Sequence, residues 1–323
     1  MVDVEELIAA ARVVRLPMRV RFRGIIFREA TVIRGPAGWG EFGPFPEYAD
    51  AEAAHWLRAG IEAAYVGFPE PLRDVVAVNA TVPAVPADQV PQVLARFPGC
   101  RTAKVKVAEA GQHLADDLAR VAAVRAALPG GAVRVDANGG WSVHQAHDAI
   151  TALLADGPLD YAEQPCRTVE ELAELRGRLD GACDVAADES IRRADDPMRV
   201  AELGAADVAV VKVAPLGGVR AVLDVASALR AAAGMRVTVS SALDTAVGLS
   251  AGIAAAACNP DANAAGLGTG GFFTADLGSH PLTGGTLRVA TVDPSEQALA
   301  AVEVFGERRD WWLDRLRRCA ALL

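Results

Sequence analysis

The chain has 323 residues, 52% of them hydrophobic and 23% charged, with a formal net charge of −9. This is the composition of a folded protein of one large or two smaller domains, and it excludes a disordered chain. The acidic balance, with no basic block except the C-terminal DRLRR stretch, argues against nucleic acid as a partner. No apolar run reaches the ~20 residues of a membrane span. The start, MVDVEELIAA, is acidic where a signal peptide needs a positive flank, so a cytoplasmic protein is expected. Cys100, Cys166, Cys183, Cys258 and Cys319 are scattered, odd in number and form no CxxC pair. They read as small buried residues, not as a disulfide framework or a zinc knuckle.

In chain order, RVRFRGIIFREATVIRG has the β-branched and aromatic content of a hairpin or meander. GPAGWGEFGPFPEY is rich in Gly and Pro and reads as a loop or turn. DAEAAHWLRAGIEAAYVG reads as a helix with Asp50 as its N-cap. From about residue 75 the texture changes. The short apolar runs VVAVNATV, TAKVKV, AVRVDA, LDYAEQ, DVAADES, ADVAVVKV, RVTVSSA and ANAAGLG are separated mostly by Ala-rich helical stretches, DDPMRVAEL among them. Such βα repetition predicts an α/β fold, a (β/α)8-type barrel, with an open doubly wound sheet as the alternative. TLRVATV and a helix containing WWLDRLRR then read as a return segment packing against the N-terminal region. The expected divisions are 1–74, 75–282 and 283–323. The first and last would form one capping unit and the middle the catalytic barrel.

The apolar runs turn polar at their C-terminal ends: Lys104 and Lys106, Asp136 and Asn138, Glu163 and Gln164, Asp188 and Glu189, Lys212, then Ser240 and Ser241. Successive members of this series lie 24 to 30 residues apart, about one βα unit each. They should therefore converge on the C-terminal rim, where barrel active sites are built. Only three of the 32 basic residues are lysine, namely Lys104, Lys106 and Lys212, and all three fall in this series. Unlike arginine, a lysine can lose its proton and act as a base. Asp136, Glu163 and Asp188, brought together in a partly buried site, call for a cation. All-oxygen ligation without His or Cys suits Mg²⁺, with Mn²⁺ as an alternative. A small-molecule carboxylate substrate on that metal would have its α-proton acidified, and a lysine on either side could take it. A lysine base beside Mg²⁺ is an established pattern of enolase-superfamily sites.

Five motifs carry a resemblance to the muconate-lactonizing-enzyme subgroup of the enolase superfamily. They are KxK at Lys104 to Lys106, DAN at Asp136 to Asn138, EQP at Glu163 to Pro165, ADES at Ala187 to Ser190, and VKVAPLGG around Lys212. RFRGIIFREA, GPAGWGEFGPFPEY, VNATVPAV and VSSALDTAVGL narrow it to the actinobacterial o-succinylbenzoate synthase family. The resemblance covers about residues 19 to 285. It implies a modified (β/α)7β barrel under a cap formed by both termini, and Mg²⁺ held by Asp136, Glu163 and Asp188. It implies a syn dehydration in menaquinone biosynthesis, with Lys106 as base and then acid and Lys212 as the cation that steadies the enediolate. The product would be 2-succinylbenzoate.

Lys104 is expected either to tune Lys106 or to bind the substrate carboxylate. Arg134 and Asn138 alternate with Asp136 and should point inward. Glu189 reads as a supporting carboxylate or a helix-start charge, and Ser240 and Ser241 as partners of the succinyl tail or as turn residues. Gly268 is expected near the substrate. GLGTGGFF lacks the context of a nucleotide loop. His144 and His147 read as a surface pair, and Trp311 and Trp312 as packing of the last helix. Two rival functions share the motifs: an N-acylamino acid racemase or dipeptide epimerase using both lysines, and a non-catalytic metal-binding scaffold. No motif sets an oligomeric state.

Overall fold

The structure is a computed structural model that describes residues 2–22, 25–192 and 197–323. Arg23 and Gly24 of the RFRGIIFREA motif, and Asp195 and Asp196 of the expected DDPMRVAEL helix, lie outside the described residues. The chain opens with α1 (Val4–Ala9) and an antiparallel sheet of β1 (Ala11–Phe22), β2 (Ile25–Gly35) and β3 (Gly38–Phe42). Helix α2 (Asp50–Ile61) follows, but its N-cap is Ala49, not Asp50. Asp50 is the first helical residue, and its carboxylate accepts from Arg318 Nε at 2.7 Å. A carboxylate in the first turn suits the helix dipole as well as a cap would.

The βα series then runs β4 (Val75–Ala77), β5 (Ala80–Val82), α3 (Val90–Leu94), β6 (Thr102–Lys106), α4 (Leu114–Ala127), β7 (Ala132–Asp136), α5 (Val143–Leu154) and β8 (Tyr161–Glu163). It continues through α6 (Val169–Leu179), β9 (Val185–Ala187), α7 (Pro197–Glu202), β10 (Val208–Lys212), α8 (Val213–Leu216), α9 (Val219–Ala233), β11 (Arg236–Ser240) and α10 (Ala246–Cys258). Ser142 and Thr168 start α5 and α6 with reciprocal caps to Gln145 and Glu171, as S/T-x-x-E/Q sequences dictate.

Strands β5 to β11 form one parallel sheet in sequence order. The expected eighth strand, within ANAAGLG, is reduced to two parallel bridges, Val78 to Ala265 and Ser240 to Gly266. These bridges join the two edges of the sheet and exclude the open, doubly wound alternative. Gly266 permits the close approach, because a Cβ there would lie 2.5 Å from Ser240 Oγ. The first expected strand, VVAVNATV, is divided. β4 pairs antiparallel with β12 (Thr286–Arg288), and only β5 joins the parallel sheet. Val78 and Asn79 between them donate to Gly285 and Ala265. The start of the TLRVATV segment therefore hydrogen-bonds to β4 and not to the N-terminal sheet. Beyond it, α11 (Glu296–Val302) and α12 (Glu307–Ala320) reach that sheet. Arg12 Nε meets Glu303 at 2.5 Å, Arg308 Nε meets Glu29 at 2.9 Å, and Trp312 sits edge-on to Phe42 at 6.0 Å.

Two apolar cores result. One packs the barrel strands against the outer helices, and the other packs β1 to β3 against α2 and α12. Side chains alternate faces along a strand. Ala103, Val105, Val133, Val135, Ala162, Val185, Ala187, Ala209, Val211, Val237 and Val239 all join the outer core. The alternate positions Tyr161, Ala186, Val208 and Val210 form a small separate interior cluster. The same inward phase carries Lys104, Lys106, Arg134, Asp136, Glu163, Lys212 and Ser240. All five cysteines are free and buried, in keeping with their reading as packing residues.

Candidate active site

The strand phase delivers polar side chains to one end of the barrel, and register aligns them. Lys106 pairs with Asp136 across β6 and β7, Asp136 with Glu163 across β7 and β8, and Lys212 with Ser240 across β10 and β11. They surround a cavity of about 730 Å³. Its lining includes Lys104, Lys106, Asp136, Asn138, Asp188, Glu189, Lys212, Ser240 and Ser241. Glu163 lies beneath them, 1% exposed. β6 and β10 are separated by three strands on one side, so Lys106 and Lys212 approach the cavity from opposite sides of the ring.

The charges are tightly paired. Lys104 Nζ donates to Asp136 at 2.8 Å and to Glu163 Oε1 at 2.5 Å. Lys106 Nζ donates to Asp136 and to Asn138 Oδ1, each at 2.6 Å. Lys212 Nζ donates to Asp188 Oδ2 at 2.5 Å and also to Oδ1. Burial is the largest influence on Asp136 and pushes its carboxyl up, but Lys104 and Lys106 together outweigh it and hold the group ionised. Glu163 goes the other way. Burial and the neighbouring charge of Asp136 push it up to about 7, against the pull of Lys104. Lys104 is pushed down by burial, but Asp136 and Glu163 prevail and raise it. Burial lowers Lys212, and Asp188 only partly offsets this.

Other expected residues fall into place unequally. Asn138, in the left-handed region at φ 46°, bridges Lys106 to Glu189 Oε1, the latter at 3.1 Å. Gln164 anchors the next strand end, since its Oε1 accepts from the backbone N–H of Asp188 at 3.0 Å and of Ser190 at 3.2 Å. Arg134 points inward below the cavity, bonded to Asp160 and to the carbonyl of Ala264, and stacks over Tyr161. Ser241 bonds Asp244 and Thr269, and Ser240 faces the carbonyl of Gly266. Gly268 does not line the cavity; it packs beside Asn79 and Phe97, while Gly266 and Thr269 form the wall. His144 and His147 lie on α5 beside Asp148, outside the cavity. Trp312 is fully buried in the second core.

The sequence reading missed the upper wall: Phe45, Tyr48 and Trp56 from the N-terminal unit, and Arg192 just past ADES. The three aromatics form a cluster with centroids 5.6 to 6.2 Å apart, Phe45 edge-on to both Tyr48 and Trp56 and the latter two tilted at 58°. The PFPEY stretch contained that signal, but the loop reading discarded it.

The donor set fits a hard divalent cation. Glu163 Oε2 is buried with no hydrogen-bond partner, although its companion oxygen is paired. Among the described residues, no group of three or more His, Cys, Asp or Glu side chains is preset around one ion position. The reason is visible: ammonium groups, with Lys104 between Asp136 and Glu163 and Lys212 on Asp188, hold the carboxylates in their present pairs.

The chain matches the family described as "Enolase C-terminal domain-like" over residues 87–291 and "Enolase N-terminal domain-like" over 13–64. In fold it is similar to muconate lactonizing enzyme from Pseudomonas putida (TM-score 0.74, 22% identity, 91% of this chain and 98% of that one). It is also similar in fold to the N-succinyl Arg/Lys racemase of Bacillus cereus (TM-score 0.75, 19% identity, 91% and 97%). The chain belongs to the enolase superfamily. It is 56% identical to the o-succinylbenzoate synthase of Mycolicibacterium smegmatis over 321 residues, 99% of this chain and 98% of that protein. It therefore belongs, within the superfamily, to the o-succinylbenzoate synthases, a family of carbon–oxygen lyases.

Proposed function

We propose that this protein dehydrates 2-succinyl-6-hydroxy-2,4-cyclohexadiene-1-carboxylate to 2-succinylbenzoate, in menaquinone biosynthesis, on a divalent cation held by Asp136, Glu163 and Asp188. Full-length identity to synthases of that name supports the reaction. The observation that carries the mechanism is the placement of Lys106 and Lys212 on opposite sides of one cavity above three buried carboxylates. When bound, Mg²⁺ would draw electron density from the ring carboxylate and acidify the adjacent C–H.

Lys106 Nζ, as the neutral amine, takes that proton. In a syn elimination the hydroxyl departs from the same face, so the Lys106 ammonium returns a proton to it. One C–H and one C–O bond break, a ring double bond forms and water leaves. Lys212, fixed by Asp188, keeps its position over the other face and stabilises the negative charge that develops. Lys104 bridges Asp136 and Glu163, which supports a role in holding the two carboxylates together, different from the two roles expected from the sequence.

Turnover of the cyclohexadiene by purified protein with Mg²⁺, lost on chelation, tests the reading. The same opposed lysines would serve a racemase, one on each face of a Cα–H. Fast racemisation of N-succinylamino acids with no dehydration would establish that activity and remove the synthase.

A further inference from the structure

The proposed substrate is a dicarboxylate, and the chemistry above uses only its ring carboxylate. The second carboxylate, at the end of the succinyl chain, also needs a partner, because an unpaired anion in a partly enclosed cavity is costly. Among the described residues, the cations lining the cavity are Lys104, Lys106, Lys212 and Arg192. The three lysines are committed to Asp136, Glu163 and Asp188. Arg192 is different in three respects. It stands beyond the turn that follows β9 and lines the cavity together with Tyr48 of the N-terminal unit. Among the described residues, its carboxylate contacts run through one nitrogen, Nη2, at 3.1 Å to Glu189 and 3.7 Å to Asp188. Its Nε is buried with no hydrogen-bond partner, and Glu189 Oε2 beside it is equally unpartnered. A guanidinium carries five N–H donors in a planar fork suited to a carboxylate. This one leaves a donor unsatisfied within a part-formed network.

We infer that Arg192, assisted by the hydroxyl of Tyr48, is the specificity residue that receives the succinyl carboxylate. The inference rests on the synthase reading above. It gives the cap a role in recognition: the tail of the substrate would tie the Tyr48 loop to the barrel turn carrying Arg192. Lateral contacts from Phe45 and Trp56 would then cover the apolar part of the ligand.

The test is calorimetric binding, with Mg²⁺ present, of 2-succinylbenzoate and of its methyl ester at the succinyl carboxylate. Wild type should prefer the diacid by on the order of 10²-fold, the range for a charge-assisted pair. Arg192→Met should lose that preference by weakening the diacid alone, and Arg192→Lys should restore part of it. Tyr48→Phe, which removes one hydroxyl, should weaken the diacid several-fold and leave the ester as it was. Equal weakening of both ligands in Arg192→Met would show that Arg192 merely holds Asp188 and Glu189, and would overturn the inference. So would a preserved preference for the diacid, or a wild type that binds both ligands alike. Absence of cyclohexadiene turnover by wild type would instead remove the synthase reading, a separate result in a separate assay.

Discussion

Trp312→Ala should separate the stability of the cap from the chemistry of the barrel. Trp312 is fully buried between Phe42, Arg308 and the β1–β3 sheet, and its indole N–H reaches Glu29 at 3.3 Å. A buried tryptophan removes about 200 Å² from water. At about 25 cal/mol per Å² this amounts to about 5 kcal/mol before relaxation, and large-to-small truncations at aromatic core sites cost about 3–5 kcal/mol. The long indole hydrogen bond adds little. Helix α12 also carries Arg315, whose Nη1 donates to the Phe45 carbonyl at 3.1 Å, so a loosened helix should disturb the roof of the cavity. Urea unfolding followed by near-UV circular dichroism should show a loss of about 3–5 kcal/mol, with Trp312→Phe losing less. Steady-state kinetics should show KM rising more than kcat falls, because both lysines stand on barrel strands. A loss below about 1 kcal/mol would refute the assignment of Trp312 to a tightly packed core. A fall in kcat at unchanged KM would refute the separation of cap and chemistry.

Other consequences follow from buried groups elsewhere. Glu41 joins β3 to the start of α10, accepting from the N–H groups of Thr245 and Gly248 at 3.0 and 3.2 Å. Burial, with Asp244 adding to it, pushes its carboxyl up to about 7. The folded state thus holds this proton more tightly than the unfolded chain does, and the stability gained is present at low pH and lost as pH rises through about 7. Glu41→Gln should flatten that part of the pH–stability curve; an unchanged slope would contradict the assignment. Gly248→Ala should destabilise by about 1–3 kcal/mol, because its Cβ would meet Glu41 Oε2 at 2.6 Å; a neutral thermal melt would show that the carboxylate can give way. Asp136→Asn and Asp188→Asn should each weaken Mn²⁺ binding, read by electron paramagnetic resonance, by at least about tenfold. Unaltered affinity in either would remove that residue from the metal set.

Much of the site was legible because strand geometry has period two and the βα unit has a narrow range of lengths. Together these made Lys106, Asp136, Glu163, Asp188 and Lys212 converge without any knowledge of tertiary contacts. The scarcity of lysine marked the same positions from composition. Local pattern failed where a long-range partner decided the outcome. Nothing within VVAVNATV reveals that Val75–Ala77 prefers β12, or that Asn79 satisfies its backbone through Ala265. Ala265 and Gly266 close the barrel with two bridges, too few for a strand and too small in side chain to announce one. Asp50 sits one residue inside the helix, where it pairs with Arg318, a partner 268 residues away that the local sequence does not show. Arg192 and Tyr48 escaped notice for a related reason. Each is ordinary in its own segment, and the cavity wall exists only where the N-terminal loop meets the turn after β9.

The most direct test of the central claim is turnover of the cyclohexadiene carboxylate with Mg²⁺ by wild type and by Lys106→Arg. Arginine retains the charge opposite Asp136 but cannot give up a proton near neutral pH. The account predicts that wild type dehydrates the substrate and that the variant, folded and still binding Mn²⁺, loses at least about 10³-fold in kcat. A Lys106→Arg protein that dehydrates the substrate at near wild-type rate would contradict it.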